Sequence, residues 1–149
     1  MRLEPLCTLA LEYDERGGVP DGGFVLVAPY AGGDGSGYGA GHGTVRGERL
    51  NGVAAWSNHP RRRSDGRMLP DAHGVILTDD GARVIFGLRG RTVFRDPDRG
   101  EQSLMGWFES DDERYRWLND VVCVAEGEIR MDTARADIDV YVAVNELGD

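Results

Sequence analysis

The sequence predicts an all-β protein, a single antiparallel β-barrel over residues 1–149, and three observations carry that reading. Short apolar or alternating segments recur along the whole chain, separated by glycine-rich turns. Two of them flank Asp79-Asp80-Gly81, a strong hairpin signature. Only residues 110–119 have a helical pattern. Closure into a barrel removes the unpaired strand edges of an open sheet and can leave a central pocket.

Taken in order, Leu3 to Tyr13 reads as the first strand, bounded by Gly17-Gly18. Phe24 to Val27 is a short apolar strand that stops near Pro29. The glycine-dense run Gly32 to Gly41 reads as a flexible loop, either over a pocket or as a plain surface connection. From Gly43 to Ser57 the pattern is long and glycine-broken, with Leu50, Gly52, Ala54 and Trp56 on one face. His73 to Thr78 and Arg83 to Arg89 form the hairpin. Val84, Phe86 and Leu88 share one face of its second strand; Arg83, Ile85 and Arg89 share the other. Gln102 to Glu109 alternates, with Met105, Trp107 and Glu109 on one side. Ser110 and Glu113 have the spacing of a capping box, which predicts one or two helical turns through Asn119. Val121 to Ala125 is continuously apolar. In the last strand Ile138, Val140, Val142 and Val144 alternate with Asp137, Asp139, Tyr141 and Ala143, one buried and one polar face.

Composition excludes several functions. The chain of 149 residues carries 17 basic and 26 acidic residues, a net charge of -9, which argues against nucleic acid and anionic membranes as partners. Every basic residue is arginine, so neither a lysine Schiff base nor a P-loop lysine is available. There is no GxSxG elbow and no apolar run of membrane-spanning length. Cys7 and Cys123 sit singly among apolar residues, as buried reduced thiols of a cytoplasmic protein would.

Several blocks, in order, resemble one bacterial family. They are Gly43-Thr44-Val45-Arg46-Gly47-Glu48-Arg49-Leu50-Asn51-Gly52, the segment ending Asp71-Ala72-His73, Thr78-Asp79-Asp80-Gly81-Ala82, and Tyr115-Arg116-Trp117-Leu118-Asn119. The set is similar to the family catalogued as domain of unknown function 3237. Ala55 stands before Trp56 where many relatives carry Asp. The resemblance implies a small barrel similar to allene oxide cyclase and lipocalin-like barrels. Such barrels bind apolar small molecules, and some isomerise or cyclise them without a cofactor.

Candidate chemistry centres on two histidines. His73 shares a face with Val75 and Leu77, and His59 ends a strand; either imidazole could shuttle a proton. Asp71 is placed to orient His73 or to meet Arg61, and Glu109, aligned with Trp107, could act as a general acid if it points inward. Arg61, in Arg61-Arg62-Arg63, could clamp a planar oxyanion. Trp56 and Trp107, with Phe86 and Tyr115, would wall a pocket. His59, His73 and Asp71 or Glu109 lack any HxH or HxxxH spacing, so neither metal nor cofactor is expected. Three functions follow: a cofactor-independent isomerase, cyclase or lyase acting on an apolar metabolite, a non-catalytic carrier, or an interaction protein whose barrel edges or glycine-rich loop join subunits. A homodimer is compatible with all three.

Overall fold

Along most strands, side chains alternate between buried and exposed positions, the pattern of a sheet with one face toward a core. The computed structural model describes residues 1–15 and 24–148. Its strands are β1 (Arg2–Tyr13), β2 (Phe24–Val27), β3 (Gly35–Arg46), β4 (Gly52–Asn58), β5 (Arg61–Arg62), β6 (Met68–Leu69), β7 (Asp71–Thr78), β8 (Arg83–Asp96), β9 (Arg99–Glu109), β10 (Val122–Arg130) and β11 (Arg135–Val144). Eight of them close a ring in the order β1-β3-β4-β7-β8-β9-β10-β11 and back to β1, every pair antiparallel. The expected all-β barrel is therefore present. The Asp79-Asp80-Gly81 hairpin is also present, joining β7 to β8 with Gly81 at a φ of 91°. The Gly17-Gly18 boundary lies outside the described residues.

The three short strands prolong the ring at one end. β2 pairs with β3 just beyond the stretch paired with β1. β5 and β6 continue the lines of β4 and β7 past Pro60 and Pro70, which have no N–H to give to a ladder. Across this break the Asp71 N–H donates to Asn58 Oδ1 (3.0 Å) and the His59 N–H to the Asp71 carbonyl (3.0 Å).

The sequence reading treats Gly32 to Gly41 as a loop, and the structure corrects it. Gly35 to Gly41 lie in β3, and glycines occupy the inward positions 35, 37, 39, 41 and 43. A side chain at Gly37 would meet Pro60 Cγ at 2.8 Å; one at Gly43 would meet Leu11 Cδ2 at 2.7 Å. One at Gly41 would strike the Glu12 carbonyl and lie 2.9 Å from the Trp56 ring. Neighbouring strands fill the vacated space. Tyr13 on β1 and Trp56 on β4 both pair in register with Gly41, and their rings meet edge to face at 4.7 Å. Phe24 packs edge-on to Tyr13 at 5.9 Å. Glycine content here marks close packing rather than freedom.

The opposite end is plugged. Residues 110–121 form turns and a 3₁₀ helix (Arg116–Asp120), not the expected capped α-helix. Ser110 Oγ donates to the Arg83 carbonyl (2.6 Å), while the Ser110 backbone and the Asn119 side chain bond each other twice. Those tertiary bonds replace the capping box and fold the segment across the barrel end, with Leu118 fully buried. Above it Phe86 and Phe108 stack at 5.8 Å among Leu50, Ile76 and Val84, all inaccessible to solvent. Cys7 and Cys123 are free and buried, as expected. Burial pushes the Cys7 thiol up to about 12 and the Cys123 thiol up to about 11.

Gly41→Ala should lower unfolding free energy by about 1–3 kcal/mol through overpacking. Gly33→Ala, whose nearest neighbour would sit at an ordinary 3.4 Å, should be near neutral. Urea denaturation of both variants checks the contrast.

Candidate functional site

Among the described residues, Thr78 and Ser110 are the buried polar side chains at the plugged end, and the other three gather at the opposite end. Asn58 follows Trp56 on the inward face of β4, Gln102 precedes Leu104 on that of β9, and Thr92 follows Leu88 on that of β8; all three are buried. Tyr13 ends the inward row Leu9, Leu11, Tyr13 on β1. Two small voids lie against these groups. The outer one, about 40 Å³, is bounded by Phe24, Met68, Phe94 and Met131; the inner one, about 30 Å³, by Trp56, Leu88 and Leu104. Tyr13, Asn58 and Gln102 border both. Each void has room for a water molecule or two, and among the described residues neither has a charged side chain in its lining.

Hydrogen bonding in this cluster is incomplete. Gln102 Nε2 donates to Thr92 Oγ1 (3.2 Å), but Gln102 Oε1 is buried with no partner among the described residues. An unpaired buried acceptor costs about 1–3 kcal/mol, so such groups are rare without a reason. Burial pushes the Tyr13 phenol above its usual value, and a hydrogen bond with the Asn58 side chain opposes part of that rise. Tyr13 thus stays protonated through neutral pH and can donate. The Trp56 indole is satisfied, donating to the His42 carbonyl (2.9 Å).

Among the residues expected from sequence, Trp56 alone lines a void. His73 lies on the outer wall, contrary to an inward placement. Its Nε2 lies 2.9 Å from Asp71 Oδ1, within hydrogen-bond distance. The same oxygen takes Arg89 Nε (3.1 Å), and Asp71 has no contact with Arg61, which faces Asp34 at 3.6 Å. Trp107 lies outside too, its ring over Gly87 and edge-on to His73 at 6.5 Å, so it walls no interior pocket. Glu109 also faces outward, in a shallow groove with Arg83 and Arg116. His59 is exposed, 3.2 Å from Ser57 Oγ and stacked edge-on to Tyr38. Phe86 is interior, but buried in the packed half away from the voids. Tyr115 belongs to the plug, its hydroxyl donating to Asp80 at 2.9 Å. No group of three or more His, Cys, Asp or Glu among the described residues is placed to hold a metal.

Alternation alone could have exposed the missed residues. Gln102 and Asn58 are polar side chains at inward positions of otherwise apolar rows, and Tyr13 falls in register with Leu9 and Leu11.

Fold and interior together define a small closed antiparallel barrel, plugged at one end, with a sparse polar cluster near the other. The chain belongs to the family described as Protein of unknown function (DUF3237), whose model matches residues 1–143. A β-barrel-like protein from Acinetobacter baumannii AYE has a similar structure, with TM-score 0.78 and 20% identity over 95% of this chain and 94% of that one. A protein of unknown function from Clostridium acetobutylicum ATCC 824 matches with TM-score 0.81 and 17% identity, over 97% and 100%. An enzyme from Penicillium herquei matches with TM-score 0.65 and 18% identity, over 95% and 94%. These likenesses establish the fold. No protein of curated description matches the sequence. No helix among the described residues is long and apolar enough to cross a membrane.

The plug carries its own pH dependence. Asp80 accepts from Thr78 Oγ1 (2.6 Å) and from Tyr115, and these bonds hold its carboxyl below its usual 3.8. A depressed carboxyl stabilises the fold above the unfolded value, and that stabilisation is lost as pH falls through the folded one. Asp80→Asn should therefore be less stable than the parent at pH 7, with the difference shrinking below pH 3.8. Thermal melts across that range check it.

Proposed function

We propose that the interior around Tyr13, Asn58 and Gln102 binds a neutral, largely apolar small molecule that carries a hydroxyl or N–H group. The unpartnered Gln102 Oε1 carries this reading. A ligand donor would satisfy an acceptor that the described residues leave buried and unpaired. The lining formed by the described residues is uncharged, which favours a neutral ligand. Arg61, exposed and facing Asp34, is not available as an interior oxyanion clamp. A ligand larger than a few waters must displace side chains at the mouth, where Met68 and Met131 are the adaptable ones.

On this reading the protein is a cofactor-independent isomerase, cyclase or lyase. Gln102 Oε1 would accept from one substrate group while the Tyr13 hydroxyl donates to an oxygen on which negative charge develops. Two such groups in a narrow barrel interior suit a rearrangement within one molecule, which needs no second reactant. The enzyme from Penicillium herquei shares the fold and makes catalysis on this scaffold a reasonable expectation. A carrier is the second reading, favoured by the lack of a carboxylate or imidazole among the described residues that line the voids.

Native mass spectrometry of gently purified protein should reveal a bound neutral metabolite. Gln102→Leu should weaken its binding about tenfold while leaving the fold as stable or more stable, since it removes an unsatisfied group. Unchanged affinity in that variant overturns the site. Tyr13→Phe should keep affinity and lower turnover about 10²-fold. Binding without turnover in the parent protein establishes the carrier.

A further inference from the structure

The outward face of an antiparallel barrel strand is ordinarily polar. Strands β10 and β11 obey this rule, showing Glu126, Glu128, Asp137 and Asp139 to solvent. The wall formed by β4, β7, β8, β9 and the start of β10 does not. It exposes Val53, Leu77, Ile85, Met105, Trp107 and Val122, with Leu77 and Ile85 at 53% and 54%. Register carries the patch across the wall, with Val53 opposite Leu77, Val75 opposite Ile85 and Gly87 opposite Trp107, while Arg83 stands opposite Leu77 and Glu109 opposite Ile85. A side chain at Gly87 would meet the Trp107 ring at 2.6 Å, so its absence lets the indole lie flat along the wall. Exposed apolar area of this kind marks an interaction surface.

Charge indicates what covers it. The chain has a net charge of -9, and the acidic wall of β10 and β11 would repel a second copy of itself. The groove of about 890 Å³ beside the apolar patch is different. Arg83 and Arg116 line it together with Glu109 and Asp111, two charges of each sign. Among the described residues, none of these four makes an ion pair within the chain, although most arginines elsewhere do. A surface that meets itself across a two-fold axis must complement itself in charge.

We propose that this wall is the interface of a homodimer, two copies packed sheet to sheet about a two-fold axis. Trp107 and Ile85 lie in the contact, and the arginines of each groove face the carboxylates of the other. The proposal is independent of any ligand in the barrel.

Sedimentation equilibrium over a concentration series tests it, with circular dichroism to confirm folding. The parent chain should have twice the 16.3 kDa monomer mass. Leu77→Glu and Ile85→Glu, both at exposed positions, should give folded monomers. Arg83→Glu should weaken association at least about tenfold, and the double exchange Arg83→Glu with Glu109→Arg should recover most of that loss. A monomeric parent chain overturns the proposal. So does a dimer indifferent to Leu77→Glu and Ile85→Glu, which would place the contact elsewhere. A dimer broken by both but not rescued by the charge exchange overturns the two-fold pairing of the grooves.

Discussion

The bare inner face of β3 is the constraint on which the rest of the barrel depends. Five inward glycines on one strand are costly, because glycine loses more backbone freedom on folding than other residues, about 0.5–1 kcal/mol each relative to alanine. What offsets the cost is the contact they permit. Tyr13 and Trp56 arrive from strands on either side of β3 and touch over Gly41, with Phe24 behind Tyr13. Aromatic pairs add about 0.5–1.5 kcal/mol each beyond the area they bury. The same geometry brings the Tyr13 hydroxyl to Asn58, so the packing that joins β1 to β4 also builds one side of the polar cluster.

The two ends of the barrel are solved in opposite ways. At the plugged end polar groups are matched: Ser110 with Arg83 and Asn119, and Asp80 with Thr78 and Tyr115. At the other end the packing thins to small voids and Gln102 Oε1 finds no partner among the described residues. Prolines interrupt two strands there, and Asn58 supplies an acceptor in place of a ladder bond. One half is a conventional core. The other gives up contacts and a hydrogen bond in a way that a foldability argument alone does not explain.

Much of the fold was legible because period-two alternation and turn chemistry are local signals. The β7–β8 hairpin, the inward rows of β4, β8 and β11 and the two buried cysteines all follow from them. The site was much less legible. His73 shares a face with Val75 and Leu77, which suggests an inward row, yet that row is the apolar outer wall. When both faces of a strand are apolar, alternation separates them but does not say which is inside. The glycine run misleads for a related reason: composition resembles a loop, while the period of two within it belongs to a strand. The Ser110–Glu113 spacing is a genuine local signal overridden by tertiary bonds to Arg83 and Asn119.

The buried thiols provide a built-in clock. Cys7 on β1 and Cys123 on β10 are both kept protonated by their surroundings, one on either side of β11 in the ring. A thiol reacts with alkylating reagents as the thiolate, so each is slow to react while its own strand stays in the sheet. The rate at which each takes up a label therefore times the opening of its own seam. Equal rates would mean that the ring comes apart as one unit, and a faster Cys7 would mean that it unzips first where β1 closes it.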